Sequence, residues 1–177
     1  MKLLRTIRFD PSDTFVFDTA AEPGEWAVSG AFMFADVDPA ALEGKARAGF
    51  RAGLLGVASF GWSTLAQIVE ASESDRVAAV EQLTQQFVTR LGAPSLEEAR
   101  AAAAEEIAFA SSLCEHPAGM LIAVYRNHEG AEIHETFRSL RPREGAKPAR
   151  AFSFLEVEGD EGPGETVDLA ALAREKK

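Results

Sequence analysis

A long stretch of helical periodicity, interrupted by a single turn signal, limits the fold of this chain more than any other feature. Residues 73–94 place apolar side chains at the spacing of one helix face, and Gly92 and Pro94 end that pattern. The alanine-rich segment 95–117 follows at once, with Ser95 as a helix cap. The spacing therefore predicts two long helices joined by a very short turn.

Strand-like segments lie on both sides of this helical pair. They are KLLRTIRF (2–9), TFVF (14–17), EPGEWAVSGAFMF (22–34), VASFGWSTLAQIVEAS (57–72), a hairpin over 119–140 and AFSFLEVE (151–158). Asp38 followed by Pro39 predicts a further helix over residues 38–55. The order of these segments predicts an α+β fold: a mainly antiparallel sheet of six to eight strands, with the two long helices packed on one face.

The length and composition are those of one domain. The chain has 177 residues, of which 46% are apolar, and a single core of this size buries roughly 70% of the surface of the unfolded chain. We expect a single domain over residues 1–158. The acidic segment 159–177 is expected to be a flexible tail, in which TVDLAALAREKK has the spacing of a short helix.

Charge and hydropathy exclude several classes of partner. The net charge of −10 argues against nucleic acid and anionic lipid, because phosphate repels such a surface. The amino-terminal segment has no apolar signal-peptide region, and no stretch approaches the roughly 20 apolar residues that span a bilayer. A single cysteine cannot form a disulfide within the chain. We therefore expect a cytoplasmic protein with neither a nucleic-acid nor a membrane partner.

The one cysteine, Cys114, is predicted to be structural. It continues the apolar stripe of Ile107 and Ala110 along the second long helix. A reactive thiolate requires a helix amino terminus or an adjacent cation, whereas Cys114 lies at a carboxyl terminus. The pattern favours a buried, unreactive thiol, and we assign no catalytic residue.

The three histidines do not have the spacing of a metal site. His116 precedes the predicted hairpin, His128 lies in its predicted turn, and His134 lies on its second strand. Metal ligands must converge within about 2 Å of one ion. The sequence therefore predicts no metal site, and it gives no sign of another cofactor.

A basic strip at residues 138–150 is the most informative local feature of charge. Its cations are Arg138, Arg141, Arg143, Lys147 and Arg150, against one acidic residue. One interpretation is a solvated linker. The other is a docking surface for an anionic ligand or an acidic partner, because clustered arginines bind carboxylate and phosphate through two hydrogen bonds each.

Two tryptophans complete the candidate binding site. Trp26 lies on the bulky face of the third strand-like segment, and Trp62 lies at a predicted kink. We predict ligand or partner binding by these two aromatics together with Arg138, Arg141 and Arg143.

Four segments carry a family resemblance. MKLLRTIRFDPSDTFVF, EPGEWAVSGAFMF, SFGWSTLAQIVEA and EEIAFASSLCEHP resemble an uncharacterised family, domain of unknown function 6505, known mainly from alphaproteobacteria. The resemblance covers residues 1–143. The family has no assigned activity, and its members are encoded near lipoate- or biotin-ligase-like proteins and components of iron–sulfur or formate-dehydrogenase-type oxidoreductases. The resemblance implies an accessory role, with an oxidoreductase or ligase component as partner.

Two functional hypotheses follow. The first is a non-catalytic accessory or interaction protein of bacterial redox metabolism, acting as a homo-oligomer. The alternative is a small-molecule-binding protein or minor enzyme, with an anion-binding pocket near the tryptophans and the basic strip.

Overall fold

The computed structural model describes residues 1–142 and the short strand Glu156–Val157. Its regular elements are β1 (Lys2–Ile7), α1 (Ser12–Val16), β2 (Trp26–Val28), α2 (Gly44–Ala52), β3 (Leu54–Gly56), β4 (Trp62–Ser63), β5 (Leu65–Glu70), α3 (Glu73–Leu91), α4 (Leu96–Ser112), β6 (Leu121–Glu129), β7 (Glu132–Arg141) and β8 (Glu156–Val157). The predicted tail at 159–177 lies outside the described residues.

The strands form one sheet in the order β4-β3-β2-β1-β5-β6-β7-β8. Every neighbouring pair is antiparallel. The expectation of an α+β fold with a mainly antiparallel sheet of six to eight strands is therefore confirmed.

The sheet curls at the junction of β4 and β5. Only Thr64 separates these two strands along the chain, yet three strands lie between them in the sheet. The sheet must bend back on itself for both conditions to hold. At the corner, the hydroxyl of Ser63 donates a hydrogen bond to the carbonyl oxygen of Leu65 at 2.7 Å.

The two long helices form where the sequence predicts them, because their end signals are local. Ser72 and Asp75 form a reciprocal capping box at the start of α3, and Gly92 ends that helix in the left-handed region at φ 63°. The hydroxyl of Ser95 accepts from the amide of Glu98 at the start of α4. The two helices pack on each other, and α4 lies against β1 and β2.

The predicted strand at residues 14–17 is wrong, because most of this segment belongs to helix α1. Asp13 in this helix is buried, and its carboxylate accepts from the amide of Thr64 at 3.1 Å and from the Thr64 hydroxyl at 2.6 Å. Four residues of alternation are too few to specify a strand against such a tertiary contact.

The strand predicted over residues 22–34 is wrong beyond Val28. Gly30 has a φ of 80°, a left-handed conformation that interrupts the pleat. The chain continues as a 3-10 turn over Ala31–Phe34, so the expected alternation of side chains ends there.

The helix predicted over residues 38–55 is shorter than expected. Asp38 does act as a cap, since its carboxylate accepts from the amide of Ala40 at 3.1 Å, but it begins only a 3-10 turn. The regular helix is α2, and the last predicted helical residues form β3. Glycines within this segment weaken the helix and account for the break.

The carboxyl-terminal hairpin is confirmed, with its turn displaced. Glu129 pairs with Glu132, so Gly130 occupies the turn, with a φ of 59°. His128 pairs with Ile133 inside the ladder, and the prediction that His128 lies in the turn is wrong. Within the described residues, no helix combines the length and apolar character needed to cross a membrane.

Candidate functional site

The ring of Trp62 lies against main chain rather than open space. A Cβ atom at Gly53 would lie 2.6 Å from the Trp62 ring, and one at Gly49 would lie 3.1 Å from its Nε1. On another side, the ring stacks on Phe34 with centroids 5.4 Å apart. A side chain at Gly53 would overlap the indole, whereas one at Gly49 would require the ring to shift by a few tenths of an ångström. Trp62 therefore joins α2 to the sheet.

The second tryptophan has a different neighbour. The guanidinium of Arg5 lies 3.7 Å from the centroid of the Trp26 ring, a cation–π contact. Trp26 of β2 and Trp62 of β4 thus pack against different groups.

The basic strip begins inside a strand. Arg138 is exposed on β7 and lines a depression of about 250 Å³ with Tyr125. Arg141 ends β7, where it pairs with Glu156 in the ladder. Arg143 lies outside the described residues. Binding by Trp26, Trp62 and these arginines stays a prediction.

Among the residues that the structure describes, Arg126 of β6 forms the most side-chain hydrogen bonds, and the sequence did not single it out. Its side chain is 0% exposed. Nε donates to Glu135 at 2.7 Å, and Nη1 donates to the carbonyl oxygens of Phe50 at 3.0 Å and Gly53 at 2.7 Å. Nη2 donates to the carbonyl oxygen of Ser29 and, at 3.3 Å, to its hydroxyl. These contacts use all five N–H groups of the guanidinium.

This arginine fastens three parts of the fold together. Its contacts reach β7, the end of α2 and the segment after β2. Burial lowers the pKa of Arg126, and the nearby carboxylate of Glu135 opposes that effect. A signal was present in the sequence. Arg126 lies two positions after Val124, which is buried, and side chains two positions apart on a strand share one face.

A groove between α3 and α4 has an apolar floor and a rim of carboxylates. Its volume is about 350 Å³. Its lining residues are Phe32, Phe87, Leu91, Ala93, Pro94, Glu98, Ala99, Ala102, Glu105 and Glu106. Every charged residue in this lining is therefore acidic.

Glu106 is the rim carboxyl with an altered titration. Burial raises its pKa to about 6, and the negative charges of Glu135 and Glu105 act in the same direction. A half-buried carboxylate in this position favours the approach of a cation.

Cys114 is buried at the end of α4, as predicted. Burial raises the pKa of its thiol to about 11, and Sγ lies 3.4 Å from the carbonyl oxygen of Ala110. The low reactivity of the thiol stays a prediction.

The histidines lie apart in the described structure. The carbonyl oxygen of His116, before β6, accepts from Lys2 Nζ at 2.6 Å, while His128 and His134 lie on β6 and β7. Among the residues that the structure describes, no group of three or more His, Cys, Asp or Glu side chains has an arrangement that could hold a metal ion.

Comparison with known protein families gives a match over most of the chain. A family of unknown function, DUF6505, matches residues 1–153, which confirms the family resemblance of the sequence. No curated protein and no solved structure matches the chain.

Proposed function

The chain belongs to DUF6505, a family of unknown function, and we propose that it is a non-catalytic interaction protein. It docks a segment of a partner protein in the groove between α3 and α4. The observation that carries this proposal is the combination of an apolar floor with an entirely acidic charged lining.

The floor of the groove offers apolar surface to a partner. Phe32 packs edge-on against Phe87, with centroids 4.9 Å apart, and both rings line the groove. Leu91, in the last turn of α3, is 48% exposed. Full burial of a leucine side chain contributes about 1.5–3 kcal/mol, so one apolar residue of a partner placed here gives substantial affinity.

The rim selects for positive charge. Glu98, Glu105 and Glu106 lie along one side of the floor, on α4. The chain as a whole carries a charge of −10, which attracts a basic partner at long range. The occupant that fits is a partner segment with apolar side chains flanked by Lys or Arg.

The biological setting is part of the proposal. The family resemblance implies an oxidoreductase or ligase component as the partner and an accessory role in bacterial redox metabolism. The resemblance and the groove support the interaction role from independent directions. Self-association is a separate expectation, and docking of a different protein requires the groove to stay unoccupied in the homo-oligomer.

Site-specific photo-crosslinking in the host tests this proposal. A photoreactive amino acid at Ala102, inside the groove, should give one dominant adduct with a protein that carries a basic, apolar segment. The same probe at Thr136, exposed on β7, serves as the control. Leu91→Gln combined with Glu105→Lys should abolish the adduct, whereas Val77→Gln, on an exposed side chain of α3 outside the groove, should leave it unchanged.

Several outcomes would overturn the proposal. They are an adduct of equal yield from both probe positions, an adduct that survives the groove variants, or an adduct with a second copy of this chain. Thermal unfolding of each variant shows whether loss of the adduct reflects loss of the fold.

A further inference from the structure

A second, smaller cavity lies between α2 and β6, and its charged lining is basic. Its volume is about 220 Å³. Arg47 and Arg51 line it from α2, and Tyr125, Asn127 and His128 line it from β6. None of these residues lines the groove between α3 and α4, so this cavity is a separate feature of the surface.

The two arginines of α2 are available to a ligand. They are four residues apart on one helix, so their side chains lie on the same face. Both are exposed, and within residues 1–142 neither guanidinium forms an ion pair or side-chain hydrogen bond. Their positive charges are therefore not neutralised by described neighbours.

Arg126 removes an obstacle to anion binding at this cavity. The carbonyl groups at the end of a helix carry partial negative charge, which repels an anion. Here, the carbonyl oxygens of Phe50 and Gly53, at the end of α2, accept from the buried guanidinium of Arg126 at 3.0 and 2.7 Å. The same contacts hold α2 against β6, so they fix the position of the helix that carries Arg47 and Arg51.

The opposite wall carries a polar group for the rest of a ligand. His128 is oriented by two contacts: its Nδ1 donates to the carbonyl oxygen of Gly130 at 3.1 Å, and its ring meets Phe50 edge-on at 6.1 Å. Tyr125 and Asn127 also line the cavity, but their side chains alternate with those of Arg126 and His128 and lie on the other face of β6.

From this arrangement we propose that the cavity binds a small phosphate monoester, with Arg47 and Arg51 holding the phosphate. Two guanidinium groups present paired N–H donors, which match the oxygens of a dianionic phosphate. The cavity is smaller than the roughly 300–1,000 Å³ of sites for drug-sized molecules, so the ester group is small and polar. His128 contacts that group.

Titration followed by amide NMR shifts tests the proposal directly on the full chain. Glycerol 3-phosphate should produce saturable shifts at residues 47–51 and 125–128, whereas glycerol should produce none. Arg47→Gln and Arg51→Gln should each weaken binding at least tenfold. Lys45→Gln removes the same charge from the same helix outside the cavity lining, and it should change the affinity less than twofold.

The results that overturn this proposal are distinct from those that overturn the docking proposal. Absence of saturable shifts, equal affinity for inorganic sulfate, or an equal loss with Lys45→Gln would each refute a phosphate-ester site. Leu91→Gln, in the groove, should leave glycerol 3-phosphate binding unchanged. Because both arginines are exposed and make no described side-chain bonds, their variants should keep the thermal stability of the parent protein.

Discussion

Replacement of Arg126 by methionine should destabilise the protein by about 3–5 kcal/mol, because it leaves one partner of a buried ion pair alone. Glu135 is only 18% exposed, and without the guanidinium its negative charge has lost the donor at 2.7 Å. The carbonyl oxygens of Ser29, Phe50 and Gly53 lose donors in the same change.

The expected size follows from these contacts. Each hydrogen bond contributes about 1 kcal/mol net, and the stranded carboxylate adds to the loss, which gives the stated range. A total of 3–5 kcal/mol is a large share of the roughly 5–15 kcal/mol that stabilises a typical domain. Glu135→Gln should cost less, about 1–3 kcal/mol, because the amide oxygen still accepts from Arg126.

A double-mutant cycle separates the ion pair from the packing. Arg126→Met with Glu135→Gln should cost about 1–3 kcal/mol less than the sum of the single changes, because the stranded carboxylate is then absent. Urea unfolding, followed by tryptophan fluorescence and circular dichroism, gives the free energies. Arg100→Met is the control: Arg100 pairs with Glu81 at 3.1 Å on the exposed surface, and its loss should cost less than about 1 kcal/mol.

The reasoning would be refuted by a cost below about 1 kcal/mol for Arg126→Met, since that is the value of an exposed pair. Strict additivity in the cycle would also contradict it. Either result would mean that the interior around β6 solvates the remaining groups after the change.

Two further predictions concern titratable groups in helix α4. Cys114 should react slowly with a thiol reagent in the native protein at neutral pH and quickly in urea, because burial raises its thiol pKa to about 11; fast stoichiometric labelling of the native state would contradict this. The pKa of Glu106 is raised to about 6, above its unfolded value near 4.3. The protonated carboxyl therefore stabilises the fold fully below about pH 4.3, and this stabilisation is lost as the pH rises through about 6. The free energy of unfolding of Glu106→Gln, measured relative to that of the parent protein, should therefore be about 1 kcal/mol higher at pH 7.5 than at pH 4. This figure allows for solvent screening of a partly exposed group. Urea unfolding of both proteins at the two pH values measures this, and a difference independent of pH would refute it.

Local sequence signals were sufficient for the long elements. α3 and α4 follow from helical spacing with Gly92 and Ser95 at the turn between them, and the β6–β7 hairpin follows from alternation around a glycine turn. Each of these signals acts between residues a few positions apart. Such interactions are present in the chain before any tertiary contact forms, so they can be identified from sequence.

Short segments were decided by contacts from elsewhere in the fold. The segment 14–17 alternates like a strand, but Asp13 is held by Thr64, which is 51 residues away. The segment after Val28 turns because Gly30 adopts a left-handed conformation beside Trp62. The position of that tryptophan depends on the curl of the sheet, and no local pattern determines such a contact.

The candidate binding features show most clearly the difference between what local sequence determines and what tertiary contacts determine. The sequence alone determined the α+β class, the acidic charge, the family and the burial of Cys114, because composition, periodicity and motif are properties of the chain. Only the tertiary structure placed Arg126 among carbonyl groups that lie 73 to 97 residues away, and only it placed Arg47 opposite His128 in one cavity. The physical reason is that these groups meet through the order and curvature of the strands, which the spacing of residues along a single strand does not specify.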